Sequence, residues 1–442
     1  MSAKSSVTRW LERAPTWAFS AYAIAAAFAT YFCMYAFRKP FAVGTFHGSV
    51  HLPLLPPLDQ KTLFIIAQVL GYCMSKFLGI KVVSEMRPER RALAILACVT
   101  VAEVGLILFG LAPPPWNAVW LVVNGLPLGL IWGLVFGFLE GRRVSDLLGA
   151  ALCTSFVLAS GFVKTVGKIT LGWGLSEYWM PAVTGAFFFP PLVLFLWMLA
   201  QLPLPTADDE ALRTRRAPMN GPARWAFFKA YAPGLVILIT SYVVLTAYRD
   251  FRDNFAREIW DALGYGKEPA ILTTAEIPVA FGAFTAVALL MAIRSNYIAL
   301  MAIHGIMLFG GVLIGGSTLL YQAHLISPVA WMISVGLGLY LGYIPYNCVL
   351  FDRLIGAVGS VATAGFLIYV ADAFGYLGSV GLLLYKNFGQ AELSWLEFFI
   401  GFSYATAALC VALFVAAALY LRARTRQKPV PAPAPAPVAG GA

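Results

Sequence analysis

The stretch Phe37–Ala42, Phe-Arg-Lys-Pro-Phe-Ala, places two cations at the end of an apolar segment. A related stretch, Phe251–Ala256, Phe-Arg-Asp-Asn-Phe-Ala, recurs half a chain later. Charge inside a membrane segment costs several kcal/mol and is rarely kept without a function. Its presence in matching places of two halves, at Arg38 and Arg252, predicts two related halves with an anion site between them. The alternative is that both arginines lie at the membrane surface and extend to water.

The composition places the chain in a lipid bilayer. Of its 442 residues 60% are hydrophobic and only 12% are charged, whereas soluble domains average about 25% charged residues. So much apolar surface cannot be buried in a water-soluble core, so the bilayer must be the solvent. The net charge of +10 is spread over short loops, which indicates membrane orientation and argues against nucleic-acid binding.

Apolar segments of membrane-spanning length predict twelve helices, because about 20 apolar residues are needed to cross a bilayer. The predicted spans are 16–44, 60–81, 92–112, 116–140, 147–170, 178–200, 230–256, 270–293, 297–320, 327–351, 358–385 and 395–421. They divide the chain into an N-terminal bundle over 1–202, a cytoplasmic linker over 203–228 and a C-terminal bundle over 229–425. A Pro/Ala-rich tail over 426–442 is predicted to be disordered.

The loops predict the orientation. With both termini in the cytoplasm, the cytoplasmic segments carry 20 of the 31 basic residues. The opposite loops hold few, namely Lys61, Arg257, Lys267 and Lys386. This asymmetry indicates an integral membrane protein with both termini inside, and we expect it in a bacterial inner membrane.

Four stretches resemble the organophosphate:phosphate antiporters of the major facilitator superfamily. They are Tyr35–Ala42 in the first predicted span, Gly71–Phe77 in the second, Ser84–Arg91 in the loop that follows, and Phe374–Gly378 in the eleventh. The resemblance implies an all-α membrane protein with twelve transmembrane helices in two pseudo-symmetric six-helix bundles, the major facilitator fold. It further implies a site in which one arginine from the first helix and one from the seventh bind a phosphate.

The first of these arginines carries over to Arg38. In the seventh span the family's position falls on Leu245, with Arg249 one turn away on the same face, while Arg252 fits the internal repeat. The sequence does not decide whether Arg249 or Arg252 faces the substrate. In the fifth span Lys164 stands in the place of a family histidine.

The residue types themselves suit an anion site. Arginine offers a planar fork of donors that matches phosphate or carboxylate, and lysine adds a point charge. Lys164 and Lys168, at i and i+4, share one helix face. The alternative is that they line the mouth distant from the cytoplasm or pair with an acid. Tyrosine hydroxyls add further donors. The candidate substrate-binding residues are Arg38, Arg249, Arg252, Lys164, Lys168, Tyr35 and Tyr376.

Acidic residues in the spans are candidate counter-charges or proton carriers. They are Glu276, Asp372 and Asp250. The sequence has no metal-ligand spacing, nucleophile motif or phosphate-binding loop, so we expect no metal, no cofactor and no enzymatic activity. We expect a monomer that contacts the bilayer and a small anionic substrate.

These observations predict a secondary transporter of a small organic anion, such as an organophosphate or phosphonate, that works by alternating access. One alternative is a proton-coupled carrier or exporter of another solute. Another is a non-transporting membrane sensor built on a transporter scaffold, which the short central linker disfavours.

Overall fold

The computed structural model describes residues 5–51, 56–139, 145–204, 221–358 and 364–426. Twelve helices in these ranges are long and apolar enough to cross a membrane. The protein is therefore an all-α integral membrane protein, and the spans form two six-helix bundles. The predicted 426–442 tail, apart from its first residue, and most of the 203–228 linker lie outside the described residues.

The N-terminal bundle holds the first six spans. The second span begins beside a two-stranded antiparallel ribbon in which Ser49 pairs with Asp59. The elements are α1 (Ser6–Leu11), α2 (Thr16–Met34), 3-10 turns at Tyr35–Phe37 and Pro40–Val43, β1 (Ser49–Val50), β2 (Leu58–Asp59), α3 (Gln60–Glu85), α4 (Pro88–Leu111), α5 (Ala118–Leu139), α6 (Ser145–Gly172) and α7 (Met180–Ala200).

The C-terminal bundle holds the last six spans. Its eighth span is split, because Pro278 has no N–H to bond the carbonyl of Thr274. The elements are α8 (Gly221–Asn254), α9 (Ala256–Ala262), α10 (Ile271–Thr274), α11 (Glu276–Met291), α12 (Asn296–Gln322), α13 (Pro328–Cys348), α14 (Leu350–Val358), α15 (Ala364–Gly389) and α16 (Trp395–Arg426).

The first helix of the chain and the end of the last helix lie at the same end of the structure. The N-terminal helix α1 lies beside the end of α7, where Thr8 donates a hydrogen bond to the backbone oxygen of Gln201 at 3.0 Å. The end of α16 lies beside the start of α8, where Arg424 reaches the carbonyl of Ala230. We call this the terminal end and the opposite one the distal end.

The bundles meet along two pairs of spans. The second span, α3, packs against the eleventh, α15, and the fifth span, α6, packs against the eighth, α10 and α11, and also against α13. Gly161 of α6 permits the second contact, since a Cβ there would stand 2.1 Å from the carbonyl oxygen of Leu272. These contacts surround the end of the first span and the end of the seventh.

The first span is a shorter helix than the sequence predicted. Its α-helix ends at Met34 instead of continuing to residue 44, and two short 3-10 turns follow. Pro40 explains the change, because it has no N–H to continue the helical hydrogen bonds and its φ is fixed. The chain therefore leaves the helix within the protein, next to Arg38.

Candidate functional site

Buried side chains form hydrogen bonds with the backbone carbonyls that are left without helical partners where the first span ends. Asn124 of α5 donates hydrogen bonds to the carbonyls of Phe37 and Ala102, each at 2.9 Å. Gln68 of α3 donates to the Arg38 carbonyl at 3.0 Å and to the Asn124 side-chain oxygen at 2.8 Å. Irregular backbone at membrane depth is tolerated only where protein groups satisfy it in this way. These hydrogen bonds fix the backbone of the irregular turn, and with it the positions of Arg38 and Lys39.

Two further cations and one acid hold the rest of this segment. Lys61 donates to the Ala42 carbonyl at 2.7 Å, and Arg257 donates to the Val43 carbonyl. Glu177 accepts from the Thr45 backbone and hydroxyl at 2.6 Å and from the next backbone N–H at 2.7 Å. Burial raises the pKa of Glu177, but these hydrogen bonds and the charge of Arg257 outweigh it, so the pKa is lowered overall.

Arg38 lies at the interface between the bundles. Its guanidinium carbon stands 3.8 Å from the ring centre of Tyr72 in α3 and 5.9 Å from that of Tyr376 in α15. Arg38 is 4% exposed, and its Nε has no hydrogen-bond partner among the described residues. Asp250 acts on it through its charge, but Arg38 forms no ion pair with any described residue. It is a buried cation whose fork of donors is available.

Arg249 of α8 approaches the same tyrosine from the other bundle. Its guanidinium carbon is 5.7 Å from the Tyr376 ring centre and 4.5 Å from that of Tyr343 in α13. It donates to the Tyr343 hydroxyl and pairs with Asp250 at 2.7 Å. Asp250 also accepts from the Ser379 hydroxyl at 2.8 Å. One arginine from each bundle therefore borders Tyr376.

Arg252, which the internal repeat favoured, lies elsewhere. It pairs with Glu276 at 2.8 Å and donates to the Met332 carbonyl at 3.1 Å, all within the C-terminal bundle. A Cβ at Gly336 would stand 2.7 Å from its guanidinium nitrogen, so α13 closes around the side chain. The structure directs Arg252 into its own bundle and not toward Arg38.

Lys164 joins a cluster that crosses between the bundles. Its Nζ lies 2.6 Å from the carboxylate of Asp253, whose other oxygen is 2.5 Å from the Nζ of Lys39. Ser160 donates to the same carboxylate, and Lys39 also donates to Asn254 at 3.0 Å. Two buried lysines of the N-terminal bundle thus share one carboxylate of the C-terminal bundle.

More ion pairs cross between the bundles at the distal end. Lys168 pairs with Asp261 at 3.2 Å and is therefore engaged at the mouth of the protein instead of beside Arg38. Lys61 pairs with Glu258, and Arg257 lies 3.7 Å from Glu177. Together with the Asp253 cluster, these pairs hold the distal ends of the bundles together.

On the terminal side of the arginines, one buried ion pair between described residues crosses between the bundles. Lys76 of α3 lies 2.9 Å from Asp372 of α15, whose other oxygen accepts from the Tyr242 hydroxyl. Tyr35 is buried beside Tyr31, with ring centres 5.6 Å apart. The predicted residues Arg38, Arg249 and Tyr376 are therefore brought together, and Asp372 and Lys164 flank them from opposite ends.

The charges of the site do not balance. Six buried or nearly buried cations lie in the site or in the adjoining parts of the bundles, namely Arg38, Lys39, Lys76, Lys164, Arg249 and Arg252. Four carboxylates face them, namely Asp250, Asp253, Asp372 and Glu276. This named set has two positive charges in excess, one at Arg38 and one in the lysine pair that shares Asp253.

The sequence interpretation missed Lys39 and Asp253 as partners, although the repeat contained a signal. The residue after Arg38 is a lysine and the residue after Arg252 is an aspartate. Equivalent positions of two pseudo-symmetric halves approach each other near the axis, so opposite charges there suggest a pair across it. The sequence contained no comparable signal for the roles of Gln68, Asn124, Tyr72 and Tyr343.

Comparison with solved structures identifies the fold. The chain is similar to a D-xylose-proton symporter, with a TM-score of 0.58 and 14% identity over 94% of this chain and 98% of that one. It is also similar to the nucleoside transporter NupG, with a TM-score of 0.54 and 14% identity over 91% of this chain and 99% of that one. This likeness establishes the major facilitator fold. The narrower resemblance to organophosphate:phosphate antiporters stays a prediction.

The sequence family is also established. The chain matches, over residues 40–424, the family described as a family of unknown function, DUF5690, and it belongs to that family. A comparison with curated protein sequences finds no match.

Proposed function

We propose that this protein is a secondary transporter that moves a small organic anion between the two bundles by alternating access. The observation that carries the proposal is Arg38, a cation 4% exposed at the bundle interface and without an ion-pair partner among the described residues. Arg249 of the opposite bundle borders the same tyrosine ring.

The energetics of Arg38 favour an anionic ligand. A buried charge without a partner costs several kcal/mol even after local relaxation. An anion between Arg38 and Arg249 would remove that cost and use donors such as the unpaired Nε. The arginine fork can bind a carboxylate or a phosphate through two parallel hydrogen bonds. The excess positive charge of the site supports the same ligand class, and phosphate esters and phosphonates are our narrower candidates.

The ion pairs on either side of the arginines support alternating access. Asp253 with Lys39 and Lys164 joins the bundles on the distal side, and Lys76 with Asp372 joins them on the terminal side. Opening at one end requires one set to separate while the other remains. A ligand bound between the two sets would then be exposed to one side at a time.

We further propose that the terminal end faces the cytoplasm of a bacterial cell, so that both termini lie inside. Basic residues at that end support this orientation, among them Arg9, Arg87 and Arg422, because cytoplasmic loops carry an excess of lysine and arginine. The protein acts as a monomer and has no enzymatic activity in this proposal.

The test uses purified protein reconstituted in liposomes. Uptake of radiolabelled inorganic phosphate, glycerol phosphate and methylphosphonate is measured with and without internal phosphate. We expect saturable uptake of at least one of these anions. Arg38→Lys keeps the charge but loses the fork, so anion affinity should fall at least tenfold, or about 1.4 kcal/mol.

Arg294→Lys is the matched control, because Arg294 is exposed outside the site, and it should transport like wild type. Equal affinity in wild type and Arg38→Lys would refute the role of Arg38. Anion binding without uptake would favour the sensor alternative over a transporter.

A further inference from the structure

A run of buried hydroxyls connects Arg249 to the carboxylate of Asp372. Arg249 donates to the Tyr343 hydroxyl, and the hydroxyl oxygens of Tyr343 and Tyr242 are 2.9 Å apart. Tyr242 also donates to Asp372, whose second oxygen is 2.9 Å from the Nζ of Lys76. This path links the proposed anion site to the ion pair that joins the bundles on the terminal side.

Tyr242 has one hydroxyl proton but two close acceptors, and the Asn347 side-chain oxygen lies farther away at 3.5 Å. One acceptor is Asp372 and the other is the Tyr343 oxygen. While Asp372 is ionised it is an acceptor only, and a charge-assisted hydrogen bond to it is the stronger choice. Once Asp372 carries a proton, it can donate to the Tyr242 oxygen, and the Tyr242 proton is then free to turn to Tyr343. The hydroxyl therefore has two states that depend on Asp372.

We propose that Asp372 is a proton-binding site whose occupancy is linked to anion binding at Arg249, with the Tyr242 hydroxyl as the connection. The proton comes from water when the terminal ends of the bundles separate and Lys76 leaves Asp372. The carboxylate becomes a carboxylic acid, and Lys76 keeps its own proton. The inference rests on the proposed anion site, since it supplies that site with a coupling ion.

The sign of the linkage follows from the charges. Protonation removes one negative charge from a site that already has an excess of cations, and it leaves Lys76 without its partner. Both changes favour an anion beside Arg249. By thermodynamic reciprocity, anion binding must then favour protonation of Asp372.

Other groups around Asp372 belong to the same environment. Those that act on it from α3, α8, α13 and its own helix are Lys76, Tyr72, Tyr242, Tyr343 and Tyr376. The groups next to these, or to the neighbouring Ala373, are Cys73, Arg249, Asn347 and Tyr369. The remaining elements packed on α15 are α14, with Asp352 and Arg353, and β2, where Asp59 caps α3. Of all these groups, Lys76 is the one whose charge pairs directly with Asp372.

The first measurement needs no anion. Infrared difference spectra of purified protein are recorded as the pH is lowered, for wild type and for Asp372→Asn. We expect a protonated-carboxyl band that is present in wild type and absent in Asp372→Asn. It should be retained in the control Glu103→Gln, which removes a half-buried carboxyl of α4 in the N-terminal bundle. A spectrum that Asp372→Asn leaves unchanged would overturn the proton site.

The second measurement uses sulfate as the probe, because this oxyanion does not itself titrate in the range studied. Its Kd should fall with falling pH in wild type, by up to about tenfold per pH unit. In Asp372→Asn the affinity should be high and independent of pH. A pH dependence that persists in Asp372→Asn would overturn the linkage.

Tyr242→Phe tests the connection. It should keep the Asp372 band but flatten the pH dependence of sulfate affinity. Tyr346→Phe is the matched control, because its ring lies 4.9 Å from that of Tyr242 and its hydroxyl bonds to Ser241 instead. Equal behaviour of these two variants would remove Tyr242 from the path. If neither sulfate nor the anions of the liposome assay bind while the Asp372 band is present, the anion site and the linkage are overturned. The proton site at Asp372 then still stands.

Discussion

Asn124 of α5 donates a hydrogen bond of 2.9 Å to the carbonyl oxygen of Phe37, the last residue of the first span. The same amide bonds to Ala102 of α4 and receives Gln68 of α3. One buried side chain thus ties four spans together at the point where the first helix is interrupted. Lipid offers no hydrogen bonds. This amide therefore takes the place of the water that bonds the free backbone groups at the end of a helix in a soluble protein.

Asn124→Ala should therefore destabilise the protein. The Phe37 carbonyl and the Gln68 amide each lose a partner in a buried place, at a total cost of about 2–3 kcal/mol. Thermal unfolding in detergent, followed by tryptophan fluorescence, measures the shift. Asn117→Ala is the control, because Asn117 is equally buried but its amide has no hydrogen-bond partner in the described part of the chain. Equal shifts for the two variants would mean that only the volume of the side chain matters.

Gly161→Ala should hold the distal ends of the bundles apart. Its new methyl group would stand 2.1 Å from the Leu272 carbonyl oxygen, whereas Gly172 of the same helix has open space at the equivalent point. The reporter for opening is Thr165→Cys, made in a variant whose native cysteines are replaced by serine. Residue 165 lies on α6 and faces the chain at Pro269. We expect a membrane-impermeant maleimide to label it at least tenfold faster with Gly161→Ala and at the original rate with Gly172→Ala. Unchanged labelling by Gly161→Ala would show that the helices adjust without opening.

Asp253→Asn should open the same end for an electrostatic reason. It leaves Lys39 and Lys164 buried without their shared carboxylate, and removing one partner of a buried pair costs about 3–5 kcal/mol. Labelling of Thr165→Cys should accelerate, and a second change, Lys164→Met, should partly reverse the effect by removing one of the stranded charges.

Asp261→Asn provides the comparison for this prediction. Asp261 is 40% exposed and pairs with Lys168, and exposed pairs contribute about 0–1 kcal/mol. Its effect on labelling should be small. If Asp253→Asn has no larger effect than Asp261→Asn, the buried cluster does not hold the distal end closed.

Glu177 should make the stability of the folded protein depend on pH in the acid range. Its pKa is lowered in the folded protein by hydrogen bonds at Thr45 and the charge of Arg257. The stabilisation is therefore complete above the ordinary glutamate pKa and is lost as the pH falls through the lowered one. Melting temperatures across this acid range should fall less steeply for Glu177→Gln than for wild type. Exposed Glu392→Gln should follow the wild-type curve, and a Glu177→Gln curve of the same slope would contradict the prediction.

The twelve spans and the two bundles followed from the sequence by itself. Membrane helices are selected by length and hydropathy, which are local properties that can be added along the chain. The repeat at Arg38 and Arg252 likewise indicated where the important charges lie along the first and seventh spans. Pro40 ended the first helix earlier than its apolar run predicted, because hydropathy does not register a missing N–H.

Only the tertiary structure decided which charges meet. Arg249 and Arg252 are three residues apart, so they differ by about 60° around the helix and about 4.5 Å along it. That difference places Arg249 beside Tyr376 and Arg252 beside Glu276. Likewise, Asp253 lies between Lys39 and Lys164 because three separate spans converge there. The opposite charges of Lys39 and Asp253 in the repeat suggested one of these pairs. The others depend on how helices rotate and pack against one another to within an ångström or two, and no local pattern in the sequence encodes that packing.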